Sequence, residues 1–156
     1  FGDFELYDLD LPDNEMGIVF RYCHFKDLSM NARDREDNDI ASSITLEHCT
    51  VHGYAYFSGR SYEKGLRIVN CRFLDIPRAR LDLSAIYYGA SGTQVYLANN
   101  HFEVFVDFFD AWLGDLTVIN NFFLKGSNVF NPDEWLEADT RHVQGNTGEI
   151  TLTEHP

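Results

Sequence analysis

Apolar and polar residues alternate along this chain in short bursts, and one burst recurs. The segments "IVFRYCHF" from Ile18, "ITLEHCTV" from Ile44, "LRIVNCRF" from Leu66, "VYLANNHF" from Val95 and "LTVINNFF" from Leu116 all carry apolar residues at their first, third and eighth positions. Alternation with period two over the first four positions predicts a strand with one buried face. The change from odd to even spacing before the eighth position then requires a bend. At that bend stand Tyr22-Cys23, His48-Cys49, Asn70-Cys71, Asn99-Asn100 and Asn120-Asn121. Asn is the non-glycine residue that best tolerates left-handed backbone, so the pair fits a tight turn between two strands.

The starts of the copies are 26, 22, 29 and 21 residues apart, and a sixth, degenerate copy, "TRHVQGNT", sets Asn146 26 residues after Asn120. Such a spread suits rungs of a solenoid whose insertions fall in loops. Stacked turns would let each Asn side chain bond its neighbour above or below, and would bring Cys23, Cys49, Cys71, Asn100 and Asn121 into one inward column. This succession resembles the right-handed parallel β-helix of pectate-lyase-like proteins over roughly residues 16–150. The resemblance implies an all-β fold of about five to six coils, a single domain over 1–156 or a portion of a longer β-helix. "YAYFSG", "ARLDLSAIYY", "EVFVDFF" and "NVFN" read as the remaining strands. "NARDREDND", "SGRSYEKG", "YYGASG" and "NPDEWLEADT" read as insertions, and "PDEWLEA" as the start of a short helix capped by Asn131.

Composition narrows the class of partner. A chain of 156 residues with 44% hydrophobic content is long enough to bury a substantial core. Its net charge of −13 opposes a phosphate backbone and removes the counterion-release driving force for nucleic acid, so nucleic acid and anionic membrane surfaces are excluded as partners. No run of about 18 apolar residues spans a bilayer. The chain opens on Phe1 with no signal segment before it, which reads as a mature or trimmed chain, and the acidic, aromatic-rich composition suits an extracellular or cell-surface location.

The outward positions of the repeated strand are where chemistry is expected. They gather Arg67 and Arg72 with Tyr96 and His101 in the middle rungs. Arg offers paired donors to a carboxylate, and Tyr or His a ring on which a pyranose stacks. With the resemblance, this implies a polysaccharide-recognising module, part of a lyase or a glycoside hydrolase, for an acidic polymer. A lyase needs a base beside a group that neutralises the uronate, which Arg67 with Arg72 or Lys64 could supply. A hydrolase needs carboxylates at defined separation, and Asp107 with Asp110 is the nearest pair by sequence. No catalytic residue is assigned.

Other groups point elsewhere. Cys23, Cys49 and Cys71 fit a column of small buried hydrophobes, and rung spacing also permits a disulfide between neighbours. The histidines show no metal-ligand spacing, and a site built from His24, His52 and His101 is disfavoured. No cofactor is expected, with calcium at the acidic loop of Asp34, Glu36, Asp37 and Asp39 left open, although that loop lacks the glycine and trailing Glu of a calcium loop. The rival reading is a structural or assembly subunit that stacks through open solenoid ends, aided by an outward apolar strip of Val69, Ala98 and Ile119 with Phe122 beside it.

Overall fold

The structure is a computed structural model, and it describes residues 2–5, 17–30, 39–40, 42–77, 79–87, 93–130 and 136–151. Alternation produces what it predicts. Ile18–Arg21, Ile44–Glu47, Leu66–Val69, Gln94–Ala98, Ala111–Ile119 and Leu136–Gln144 are strands that stack in sequence order into one parallel sheet, the first face of a β-solenoid. The five predicted copies align without slippage, Ile18 on Ile44, Leu66, Val95 and Leu116. The sixth differs by one residue. Arg141 lies on Leu116 and Asn146 pairs in the stack with Asn121 rather than Asn120, because Gly145 takes the turn position.

The bend follows immediately. Tyr22, His48, Asn70, Asn99 and Asn120 all have φ between 54° and 57°, and Gly145 has φ 65°. At Gly145 a Cβ would stand 2.3 Å from Oδ1 of Asn120, which explains why glycine occupies the last copy of the turn. Beyond the bend, His24–Ser29, Thr50–Val51, Arg72–Phe73, His101–Phe102, Phe122–Phe123 and Thr147–Gly148 form the second face. The longest of these, His24–Ser29, continues into the third face, made with Ala55–Tyr56, Arg80–Asp82 and Phe105–Asp107, and Gly2–Glu5 pairs along its free edge.

The fold is thus a parallel β-solenoid of about four turns rather than five to six. Six copies of the repeated strand stack, but among the described residues the last copy continues only as far as the second face. Three further expectations change. "SGRSYEKG" is not a bare insertion: Ser61–Tyr62 pairs with Asp39–Ile40, and the fully buried Tyr62 donates its hydroxyl to the carbonyl of Phe57 at 2.8 Å. "NVFN" gives a 3-10 turn over Asn128–Phe130, with Val106 bridged to Ser127. Leu136, Glu137 and Ala138, expected in a helix, open the nine-residue strand Leu136–Gln144, whose neighbour Ala111–Ile119 offers a ladder over its whole length.

One continuous core runs up the axis. The eighth position of the third to fifth copies builds a stack of rings, Phe73 on Phe102 at 5.3 Å and Phe102 on Phe123 at 5.1 Å, closed by Phe130 edge-on to Phe123 at 4.9 Å. Beside the rings stands the inward turn column. Asn100 accepts from Cys71 N–H at 2.8 Å, Asn121 accepts from Asn100 N–H at 2.9 Å and Asn146 accepts from Asn121 N–H at 2.9 Å. Their amides donate to the carbonyls of Ile68, Leu97 and Val118. The ladder is therefore carried by the inward residues Asn100, Asn121 and Asn146 and leaves none of these amides unsatisfied, as burial demands.

Candidate functional site

The four residues singled out in the sequence fall into two pairs. Arg67 and Tyr96 are register partners on the first face, and the Arg67 guanidinium lies 4.1 Å from the centroid of the Tyr96 ring. Arg72 and His101 are register partners on the second face. The bend at Asn70 and Asn99 separates the pairs, so the expected single cluster is distributed over two adjoining faces.

Electrostatics distinguishes them further. Arg72 is held by Glu103, with Nη2 at 2.5 Å and Nε at 3.0 Å from Oε1, and His101 Nε2 stands 3.7 Å from the same oxygen. The Arg72 bond, and then the Asp75 N–H, hold the Glu103 carboxyl below the usual carboxylate range. His101 is also stacked on Phe122 at 4.7 Å. Arg72 thus has its charge balanced within the fold. No carboxylate partners Arg67 among the described residues: it is exposed, with its guanidinium carbon over the Tyr96 ring. An arginine stacked this way retains its full set of in-plane donors.

Around this pair the first face carries threonines. Thr45 precedes Arg67 in register and Thr117 follows Tyr96. Two acids on this face are engaged, Glu47 with Arg21 at 2.7 Å and Asp115 with Gln94 at 3.1 Å and with Thr140. The apolar strip expected beside it is buried in its first two members only. Val69 is 9% and Ala98 2% accessible, and Ile119 and Phe122 are half-buried, Phe122 against His101.

The remaining candidates find structural employment. Asp107 accepts from Phe109 N–H at 2.9 Å and from the Asn128 amide at 3.0 Å, and Asp110 is a left-handed turn residue with φ 56°. His24 and His52 rings are 6.0 Å apart and tilted, and among the described residues no group of three or more His, Cys, Asp or Glu is placed to hold a metal. Asp34, Glu36 and Asp37 lie outside the described residues.

Two features escaped the sequence reading. Tyr54 and Tyr56 stack at 5.4 Å with an interplanar angle of 14° on the third face, and Arg80, ion-paired to the buried Asp82 at 2.9 Å, lies 5.8 Å from the Tyr56 ring. The spacing "YAY" carried that signal, since residues two apart on a strand share a face. Tyr87 and Trp112 are exposed aromatics on adjacent rungs, joined by the Trp112 N–H to the Ile86 carbonyl at 2.8 Å. Compared with known proteins, the chain matches no family model, no curated protein and no solved structure.

Proposed function

We propose that this protein is an extracellular polysaccharide-recognising module similar to pectate-lyase-like proteins, binding an acidic polymer along its first face. The observation that carries the reading is Arg67, a cation stacked on Tyr96 and free of any carboxylate partner among the described residues, in a chain with 25 acidic and 12 basic residues. On so acidic a protein, a cation left uncompensated is matched by an anionic ligand. A uronate carboxylate would take two in-plane hydrogen bonds from the guanidinium, with the Thr45 and Thr117 hydroxyls one rung away on either side of the pair for sugar oxygens. In this reading Arg72 and His101 shape the adjoining edge, since Glu103 already balances Arg72. The role is recognition, alone or as the binding portion of a lyase or hydrolase, because the nearby acids Glu47 and Asp115 are both committed to neighbours.

The test is affinity electrophoresis in gels containing polygalacturonate, alginate or neutral dextran. The wild-type chain is expected to be retarded by an acidic polymer and not by dextran. Arg67→Ala and Tyr96→Ala should each weaken retention by about tenfold or more with unchanged circular dichroism, in line with loss of one charge-assisted bidentate contact or one stacking ring. Equal migration of all three proteins in every gel would reject the reading.

A further inference from the structure

Three thiols occupy successive rungs of one column. Cys23, Cys49 and Cys71 each take the inward turn position, and each Sγ donates to the carbonyl two residues earlier on its own strand, at 3.5 Å to Arg21, 3.4 Å to Glu47 and 3.3 Å to Val69. The side chains are therefore oriented alike. Cys49 also donates to Phe20 O on the preceding rung at 3.3 Å, and its own N–H reaches Cys71 Sγ at 3.4 Å. Neighbouring rungs place equivalent Cα atoms about 4.8 Å apart, inside the range a disulfide spans.

Burial separates the three. Cys49 is 1% and Cys71 2% accessible, whereas Cys23 belongs to the first copy of the repeat and is only partly buried. A dissolved disulfide therefore meets Cys23 first. We infer that Cys23 and Cys49 form an intramolecular disulfide that staples the first two copies of the repeat, while Cys71 remains a thiol.

The chemistry balances with a low-molecular-weight disulfide such as oxidised glutathione as oxidant. The Cys23 thiolate attacks one glutathione sulfur, breaking the glutathione disulfide, forming a mixed disulfide at Cys23 and releasing one glutathione thiolate. Cys49 then attacks Cys23 Sγ, forming the protein disulfide and releasing the second glutathione thiolate. Two protein thiols are oxidised and one glutathione disulfide is reduced to two thiols. The surroundings suit these roles. The neighbouring Cys71 thiol favours a thiolate at Cys49, while the contact with Cys49, and then burial, push the Cys71 thiol up. Burial raises the Cys23 thiol, so the first step is the slow one and quickens with alkalinity.

The experiment treats the reduced full chain with oxidised glutathione at pH 8, blocks remaining thiols and maps tryptic peptides without reduction. Lys26, Arg33 and Arg35 lie between Cys23 and Cys49, and Arg60, Lys64 and Arg67 between Cys49 and Cys71, so every pairing gives a distinct linked peptide. The expected result is one Cys23–Cys49 linkage per chain, Cys71 alkylated only after denaturation, and a Tm raised on the order of 5–10 °C for a 26-residue loop closure. Cys71→Ala should leave the linkage intact, and Cys49→Ser should stop the reaction at a glutathione adduct on Cys23. A Cys49–Cys71 peptide, a glutathione adduct persisting in the wild-type chain, a linkage between two chains, or no oxidation would each overturn the inference.

Discussion

The two members of each turn pair do different work, and the difference is measurable at single residues. Asn99 sits outside with φ 56°, where its only demand is conformational. Asn100 sits inside, 3% accessible, accepting from Cys71 N–H and donating to the Ile68 carbonyl and to Asn121. Removing a buried amide strands partners that have no water to turn to, which costs more than relieving a turn. Asn100→Ala should therefore lower stability by about 2–4 kcal/mol and Asn99→Gly by less than about 1 kcal/mol. Urea denaturation of both variants checks this; equal losses would show that the ladder contributes nothing beyond the turn itself.

At the scale of elements, the first bend was legible and the second was not. Alternation, the Asn pairs and the apolar eighth position together define strand, turn and strand, and the five strongest copies stack in the register their spelling implies. Gly59, Ala85 and Asp110 make another left-handed column, φ 71°, 50° and 56°, on successive rungs: Gly59 N–H donates to Ser84 O and Ala85 N–H to Phe109 O. Three unlike residues share that conformation, so no letter repeats to reveal it. The readable trace is Asp82 and Asp107, three residues ahead of the second and third positions, whose carboxylates accept the N–H groups of Ser84 and Phe109. The site was partly legible for a related reason. Outward positions follow from period two, which placed Arg67 beside Tyr96, whereas the neutralisation of Arg72 depends on Glu103, a residue outside the repeat. Ala85 offers the element-scale prediction. A Cβ in left-handed backbone costs roughly 1–2 kcal/mol, partly offset by the greater entropy glycine loses on folding. Ala85→Gly should stabilise the protein by about 0.5–1 kcal/mol in the same denaturation measurement, and a destabilised variant would mean that the Ala85 methyl packs usefully at the corner.

For the whole molecule, the decisive question is what terminates the stack. The strand Leu136–Gln144 is the last of the first face among the described residues and its outer edge has no strand partner among them, and an open edge above an apolar cross-section invites association. The sixth copy answers this in its first position. Where Ile18, Ile44, Leu66, Val95 and Leu116 extend an aliphatic column, Arg141 stands on Leu116 and reaches back to bond the carbonyl of Val129. That bond holds a charged head where the column would otherwise continue, and burial lowers its pKa from the ordinary arginine value. The net charge of −13 adds long-range repulsion between copies. Arginine at this position therefore opposes end-to-end growth, and replacing it by the residue the column otherwise prefers should release that growth. Arg141→Leu is expected to gain mass with concentration in light scattering, more steeply in moderate salt where repulsion is screened. The wild-type chain should stay at 18.0 kDa across the same series. Growth of the wild-type chain equal to that of the variant would remove Arg141 as a cap and would favour a stacking subunit over a polysaccharide-binding module.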